Sequence, residues 1–368
     1  MLMVLLALLS SILALHKVAS RSVCARRSIA LSSSLQSQDY EFLDCGDSKR
    51  LERFNEYYVI RPCPSATWRR SSNAIVPQWD VSGRGGAKTV VFEKEGLAGV
   101  WRNAGGISVS DEGEGSKVSS SWTVRFDSQV FNLFPSENGQ IGIFPEQMSN
   151  WRWIKSTIAE ATKRDGTRKI SVLNGFGYTG GSTMAAISCS NVNAVHLDAS
   201  KSSVNFAMTN VEDTIKQSAR ADEVKSLSSV RYIIDDCMTF LEREVRRGNK
   251  YDCLIFDPPA FGRGQGGKKI WKLESDLKRL VDLMPYLLSD SPVFVLLTCH
   301  DVNWDDKSLS KLLTDSLRAY NDNKKDSNNN KVKLRAKIES IGGMALEPSD
   351  SNANRLPLGH FVRLIFNN

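Results

Sequence analysis

The residues with the clearest chemical potential stand behind short apolar runs in the second half of the 368-residue chain. Asp198, Asp236 and Asp257 each come at or just after the end of such a run. Carboxylates placed there can accept hydrogen bonds from the hydroxyl and amino groups of a nucleoside. A glycine-rich loop at 175–181 matches the pattern G-x-G-x-x-G and precedes Asp198. Together these features predict a nucleoside ligand, either S-adenosylmethionine (SAM) or NAD.

Two prolines behind Asp257 favour the first of these ligands. Pro258 and Pro259 cannot donate ladder hydrogen bonds, and they hold the chain rigid where open α/β sheets bind ligands. Such a tip can present backbone carbonyls and the ring of Phe261 to a flat substrate. A dehydrogenase has no requirement for this tip. We therefore interpret Asp257, Pro258 and Pro259 as the place where a methyl group is transferred.

The elements that must position these residues alternate between strand and helix. Five apolar runs are typical of strands buried on both faces, and these are residues 170–173, 194–197, 230–234, 253–256 and 293–297. The segments between them are long enough for helical crossovers, at 200–212, 238–248, 271–288 and 306–319. This pattern predicts a doubly wound α/β domain over residues 149–368.

The ends of this domain carry weaker signals. Trp151 and the apolar residues at helical spacing behind it predict a helix, with Ser149 or Asn150 as its cap. Residues 321–331 are polar and predict a mobile loop. The run 361–366 after Gly359 predicts a last strand in a closing hairpin.

The first 148 residues divide into two segments of different composition. Residues 39–148 are rich in Gly, Ser and Pro with short β-like runs, and they predict a small β-rich domain. Residues 1–38 join an apolar run at 2–15 to a stretch that is rich in Ser and Arg and lacks acidic residues. We expect a signal plus transit peptide that directs the chain to a plastid; a mitochondrial presequence and a secretory signal are the alternatives.

Charge and cysteine usage exclude fewer functions than they first suggest. The net charge is +7, but residues 1–38 hold four basic residues and no acidic one, which leaves 44 basic against 41 acidic residues. An ordinary solvated surface explains that balance as well as a nucleic-acid interface does. The seven cysteines contain no C-x-x-C pair, so we expect reduced thiols and no metal site.

The motifs resemble those of class I SAM-dependent methyltransferases related to bacterial 23S ribosomal RNA methyltransferases, including the cytosine-C5 enzymes. The resemblance rests on the segments 174–181, 196–200, 235–237 and 257–264, and it covers residues 140–300 well. It implies a Rossmann-like domain and a SAM pocket. The pocket residues that we predict are Phe144, Gln147, Asn174, Gly175, Tyr178, Thr179, Gly180, Asp198, Asp236 and Asp257.

Two further predictions concern the substrate. In the cytosine-C5 enzymes a cysteine near the fifth strand attacks the base, and Cys299 stands near that place without the family's following Ser-Gly. Cys299 is therefore either a nucleophile or a residue that fills a strand. The basic loop behind the proline tip is either a substrate clamp or a solvated loop. Its predicted substrate-binding residues are Phe261, Arg263, Lys268 and Lys269, with Trp271 as an aromatic face for a base.

The sequence thus predicts a SAM-dependent methyltransferase that acts on RNA, with organellar ribosomal RNA as the expected substrate. A protein or small-molecule acceptor is the alternative within the same enzyme class. An NAD-dependent oxidoreductase fits the glycine loop and Asp198 but leaves the proline tip unexplained. A catalytically silent nucleoside-binding subunit needs only the pocket.

Overall fold

The fold is described from a computed structural model. The structure describes residues 39–71, 79, 88–95, 98–103, 122–136, 138–218, 228–263, 270–301, 303–323 and 333–366. The predicted targeting segment 1–38 therefore lies outside the described residues. All described residues belong to one compact unit, Ser37–Asn368. The predicted domain boundary at residue 148 stays a prediction.

The N-terminal part of the described chain forms a five-stranded sheet in the order β1-β2-β3-β4-β5. Its strands are β1 Tyr40–Gly46, β2 Lys49–Phe54, β3 Tyr57–Pro62, β4 Lys88–Glu95 and β5 Ala98–Asn103. Asp47 and Ser48 join β1 to β2, and both have a positive φ, as a two-residue hairpin turn requires. Only the β3–β4 pair is parallel among the described strands of this sheet. The predicted β-rich character is confirmed.

A short hairpin connects this sheet to the rest of the molecule. It consists of β6 Thr123–Phe126 and β7 Gln129–Asn132. The outer edge of β7 is closed by side chains of a helix, because Val130 N donates to Thr214 Oγ1 at 2.9 Å and Asn132 N donates to Asn210 Oδ1 at 2.8 Å. Among the described strands, β6 and β7 thus pair only with each other, and the hairpin lies against the α/β part.

The second half of the chain forms a seven-stranded sheet in the order β10-β9-β8-β11-β14-β16-β15. Its strands are β8 Ile170–Gly175, β9 Val192–Asp198, β10 Ser229–Ile234, β11 Cys253–Phe256, β14 Phe294–Cys299, β15 Ala336–Leu346 and β16 Leu356–Phe366. The first five of these in space are parallel, and β16 is antiparallel to both its neighbours. The five predicted strands and the closing hairpin are confirmed.

Six α-helices connect the strands that the structure describes. They are α1 Met148–Arg164, α2 Gly181–Ile187, α3 Lys201–Lys216, α4 Cys237–Arg247, α5 Leu273–Leu287 and α6 Asp306–Asn323. Helices α4, α5 and α6 pack their apolar sides on one face of the sheet in a single buried cluster. Helix α2 contacts both α1 and α3, and the three form a second group. No described helix is both long and apolar enough to cross a bilayer.

Three predictions about these elements were wrong in detail. Helix α1 begins at Met148 behind a 3-10 turn, Pro145–Gln147, so Ser149 and Asn150 lie inside the helix and do not cap it. Strand β10 is half-exposed because it forms the edge of the sheet. Helix α6 runs to Asn323, three residues into the predicted loop; the rest of that loop, 324–332, lies outside the described residues.

Candidate active site

The candidate site lies where the parallel strands end, and hydrogen bonds join the loops that follow them. Gly177 N donates to Leu197 O at 2.9 Å, which ties the glycine loop to β9. Asp235 N donates to Asp198 O at 3.1 Å, which ties the end of β10 to the end of β9. The predicted residues of these loops are therefore brought together at one edge of the sheet, as the sheet order requires.

The glycines of the loop are required mainly by packing. A Cβ on Gly177 would lie 2.5 Å from the His196 ring, and one on Gly175 would lie 2.5 Å from the Phe256 ring. Gly180 has a φ of +92° and is the N-cap of helix α2. The loop therefore lies directly on the sheet. Its ligand-binding character has to come from other residues, and the glycine pattern alone is a weaker indication of a ligand than the sequence suggested.

Two residues between these glycines have a backbone conformation that side chains rarely adopt. Phe176 has a φ of +57° and Tyr178 a φ of +47°. Left-handed backbone at non-glycine residues costs free energy and is concentrated at functional sites. Here it turns the N–H of Tyr178 toward Asp198, which accepts it at 2.9 Å through Oδ2. The strained loop and the strand-end carboxylate thus form one structure.

Asp198 is the carboxylate that best fits a role in ligand binding. Its Oδ1 accepts the N–H of Ser200 at 2.8 Å, and its side chain is half-buried at the end of β9. Burial raises the pKa of Asp198, although the backbone N–H groups of Ser200 and Tyr178 act in the opposite direction. The partial burial of this charge costs free energy, and hydrogen bonds from a ligand would offset that cost. A carboxylate can accept more hydrogen bonds than the two from Tyr178 and Ser200, so it can also bind polar groups of a ligand.

Three other predicted pocket residues form hydrogen bonds within the protein. Asn174 is buried and donates to Thr183 Oγ1 at 2.9 Å. Thr179 is buried and donates its hydroxyl to Gly142 O at 2.7 Å, which fastens the loop to the segment before α1. Asp236 is the N-cap of α4, and its Oδ1 accepts the backbone N–H of Thr239 at 2.9 Å. A ligand contact of Asp236 stays a prediction.

Asp257 stands in a network of donors that the sequence did not predict. Gln147 Nε2 donates to its Oδ2 at 2.9 Å, and the hydroxyl of Thr298 donates to its Oδ1. The Nε2 atom of His300 lies 3.2 Å from the same Oδ1 atom. Gln147 therefore holds the carboxylate of Asp257 in place. Asn150 positions Gln147 in turn, because its Nδ2 donates to Gln147 Oε1 at 2.7 Å.

The charges of His300 and Asp257 stabilise each other. Burial alone would raise the pKa of Asp257, but the charge and hydrogen bond of His300, with those from Thr298 and Gln147, hold it below its usual value. Burial likewise acts to lower the pKa of His300, but Asp257 and its other acceptors raise it to about 9. At neutral pH the pair is therefore an imidazolium facing a carboxylate, and Asp257 can only accept hydrogen bonds.

An aromatic side chain connects the glycine loop to this pair. The ring of Phe144 lies 5.2 Å from that of Tyr178 and 6.0 Å from that of His300. Phe144 is half-buried, so it forms a wall between the two halves of the site. That Phe144 lines a SAM pocket stays a prediction.

The proline tip is fixed by the hairpin that follows it. Strands β12 Phe261–Arg263 and β13 Ile270–Lys272 are antiparallel. The indole Nε1 of Trp271 donates to Pro259 O at 2.7 Å, and Trp271 packs on Phe176 with 4.9 Å between the rings. Trp271 is buried, so its predicted role as a stacking face for a base was wrong.

The outer face of this hairpin is the exposed part of the site. Phe261 is 53% exposed and lies opposite Lys272, which is also exposed. Ile270 is 55% exposed. The backbone of Arg263 belongs to β12, whereas Lys268 and Lys269 lie outside the described residues.

Cys299 faces the side of strand β14 opposite to that of Thr298. It is completely buried in the apolar cluster beneath helices α4, α5 and α6. Its neighbour Thr298 contacts Asp257, and successive residues of a strand point to opposite faces. Burial raises the pKa of the Cys299 thiol to about 11. These surroundings are those of a strand-filling cysteine and do not favour a nucleophile. Among the described residues no cluster of possible metal ligands exists.

Comparison with known proteins agrees with this geometry. The chain resembles the crystal structure of a SAM-dependent methyltransferase from Agrobacterium tumefaciens with a TM-score of 0.68 and 25% sequence identity. The likeness covers 90% of this chain and 91% of that one. The fold is that of the SAM-dependent methyltransferases. The fold class and the resemblance predicted from the motifs are confirmed.

Sequence comparison adds a shorter match. The chain is 34% identical over 90 residues to ribosomal RNA large subunit methyltransferase I of Salmonella arizonae, and 36% identical over 92 residues to the protein of that name from Escherichia coli O139:H28. Each match covers 24% of this chain and 20% of the relative. The chain thus matches about a fifth of the length of these curated relatives. No model of a protein family matches the chain.

Proposed function

We propose that this protein transfers a methyl group from SAM to RNA at the tip formed by Asp257, Pro258 and Pro259. The observation that carries the proposal is the position of the Asp257 carboxylate, which three donor side chains hold next to the glycine loop of a methyltransferase fold. The likeness to the Agrobacterium tumefaciens enzyme over nine-tenths of the chain supports SAM over NAD. The name of the relatives that match about 90 residues of the chain supports RNA as the substrate.

The residues fit a SAM molecule. The left-handed residues Phe176 and Tyr178 shape the loop, and Asp198 presents a partly desolvated carboxylate beside it. Asp198 would bind the ribose hydroxyls, and Phe144 and Tyr178 would form the wall toward the acceptor. When bound, SAM supplies a methyl group on a positively charged sulfur. The task of the protein is to hold an acceptor group at the proline tip.

Asp257 determines which acceptors this tip can hold. An ionised carboxylate offers about four acceptor positions, and Gln147, Thr298 and His300 use three of them. About one position is left for the substrate. Since Asp257 is ionised, the group that it binds must bring its own hydrogen, as an amino group or a hydroxyl does. Bases and ribose in RNA carry both groups, and the exposed ring of Phe261 beside Lys272 suits a base next to a phosphate.

The experiment is methylation of RNA by the purified protein with deuterium-labelled SAM, followed by mass spectrometry of the nucleosides. We expect one labelled nucleoside in organellar ribosomal RNA. Phe261→Ala should raise the KM for RNA and leave the affinity for S-adenosylhomocysteine unchanged, and Tyr286→Ala, another exposed aromatic residue, is the control. If the label is found only in protein or in a small molecule, that molecule is the substrate and the proposal of RNA is rejected. Binding of NAD without binding of S-adenosylhomocysteine would reject methyl transfer.

We further propose that the protein works in a plastid. The support is the composition of residues 1–38, an apolar run followed by a Ser- and Arg-rich stretch without acidic residues. Fusion of residues 1–38 to a fluorescent reporter tests it. Plastid fluorescence is the expected result, and accumulation in mitochondria or in the medium would contradict the proposal.

A further inference from the structure

Glu146 is a buried carboxylate beside the candidate site that no role described above explains. It belongs to the 3-10 turn Pro145–Gln147, between the wall residue Phe144 and the residue that holds Asp257. Its side chain is 2% exposed. Within the described part of the chain, its Oε2 atom has no hydrogen-bond partner. A buried carboxylate oxygen without a hydrogen bond is costly, so its retention at this point calls for a function.

The charges around Glu146 come from two parts of the molecule. On the side of the site, its Oε1 atom lies 4.0 Å from Nδ1 of His300. Arg50 and Tyr40 of the N-terminal sheet also interact with it electrostatically. Arg50 itself is buried and forms an ion pair with Glu52 at 3.4 Å. Glu146 thus interacts both with a cation of the N-terminal sheet and with the imidazole of the candidate site.

The imidazole of His300 faces acceptors on both of its nitrogens. Nδ1 lies 2.7 Å from Leu358 O, and Nε2 lies 3.2 Å from Asp257 Oδ1. Only the protonated ring can donate from both nitrogens at once. A second carboxylate 4.0 Å away favours that same form by its charge. The arrangement therefore places one imidazole between two carboxylates, one partly exposed in the site and one buried behind it.

We propose that Glu146 is a positioning residue that keeps His300 protonated and thereby keeps Asp257 ionised and oriented toward the acceptor. This inference rests on the proposed methyl transfer for its catalytic meaning. It also gives the N-terminal sheet a part in the site, because Arg50 balances the buried charge of Glu146. The burial of the imidazole lowers the pKa of His300, and Asp257, Glu146 and Leu358 O together raise it to about 9.

The test is an NMR titration of His300 in the full protein. The variant His300→Gln identifies the resonance, since the chain has four histidines. In Glu146→Gln the titration midpoint of His300 should fall by about one pH unit or more, because one of the two carboxylate charges is lost. The control is Glu160→Gln, because the side chain of Glu160 is 67% exposed on helix α1. It should leave the titration midpoint of His300 unchanged. The alkaline limb of the pH profile for methyl transfer should move with the midpoint.

An unchanged His300 midpoint in folded Glu146→Gln overturns the proposal. If that variant does not fold, Glu146→Asp withdraws the carboxylate by one methylene and should lower the midpoint by a smaller amount. An unchanged midpoint there overturns the proposal as well. The midpoint is measured without SAM or RNA, so a failure of the proposed methyl transfer is recognised separately. It would appear as absent methylation in a wild-type protein whose His300 titrates as expected.

Discussion

Replacing Asp198 by asparagine should separate ligand affinity from folding stability. In the folded protein Asp198 accepts the N–H groups of Tyr178 and Ser200. Its pKa is nevertheless raised by burial. A carboxylate whose folded pKa exceeds its unfolded value loses stability as the pH rises through the folded pKa. At neutral pH the ionised side chain therefore costs the unliganded protein some stability, which a neutral amide of the same shape does not.

The expected effect on binding follows from the number of hydrogen bonds at risk. Two adjacent ribose hydroxyls can each donate to the carboxylate, and hydrogen bonds to a charged group contribute about 1.5–3 kcal/mol. Asparagine retains one acceptor atom and loses the charge. We expect the Kd for S-adenosylhomocysteine to rise about 10- to 150-fold, which corresponds to that range at about 1.4 kcal/mol per tenfold change. The urea midpoint should change little, because the amide avoids the cost of burying a charge but can accept only one of the two backbone N–H groups of Tyr178 and Ser200.

Isothermal titration calorimetry with S-adenosylhomocysteine measures the affinity, and urea unfolding measures the stability. Asp282→Asn is the control, because its carboxylate is half-exposed and pairs with Lys278 one turn away on helix α5. Folded Asp198→Asn protein that binds with wild-type affinity would remove Asp198 from the site. A variant that loses affinity only because it unfolds would show that the carboxylate is structural.

Three more substitutions test other parts of the account. Cys299→Ala should retain methyl transfer and lose about 1 kcal/mol of stability in urea unfolding, because a buried thiol is replaced by a smaller group; a folded variant without activity would restore Cys299 as the nucleophile. Trp271→Phe should lower kcat about 2- to 10-fold and leave the affinity for S-adenosylhomocysteine unchanged, because the side chain no longer donates a hydrogen bond to Pro259 O. Equal losses in kcat and in this affinity would show a general structural defect. Glu52→Gln should lower the free energy of unfolding by about 3–5 kcal/mol, since two buried guanidinium groups lose their counterion; a loss below 1 kcal/mol in urea would contradict this.

The pH dependence of the Glu52 cluster has a definite sign. Burial would raise the pKa of Glu52, but Arg50 and Arg61 lower it below the ordinary value, and Tyr40 donates to it as well. A lowered folded pKa means that the contribution to stability is present above the unfolded pKa and is lost as the pH falls through the folded pKa. The difference in stability between the wild type and Glu52→Gln should therefore shrink in acid.

The strands and the edge where the site lies could be predicted because each depends on local sequence. The apolar runs that end near Asp198 and Asp257 are buried strands, and parallel strands place their carboxyl ends at one edge. The partners of Asp257 depend on tertiary structure. Gln147 reaches it from the turn before α1, and His300 reaches it from the neighbouring strand. Neither spacing along the chain nor residue type indicates that these side chains meet.

The surroundings of Cys299 could not be predicted from the sequence alone. Cys299 follows Thr298, and side chains alternate between the faces of a strand. Once Thr298 is known to contact Asp257, Cys299 has to point to the opposite face. The prediction failed to weigh this because the register between β11 and β14 was not known from the sequence; in the structure Phe256 is opposite Leu297.

Transfer of labelled methyl groups by Asp257→Asn tests the central claim most directly. The protein, tritiated SAM and organellar ribosomal RNA are incubated, and the label in RNA is counted for wild type and variant, with S-adenosylhomocysteine affinity measured for both. We expect incorporation by the wild type and a loss of at least about tenfold in the variant, which corresponds to one charge-assisted hydrogen bond to the acceptor. Wild-type protein that binds S-adenosylhomocysteine but labels no RNA, or a folded Asp257→Asn variant that labels it at the wild-type rate, would contradict the account.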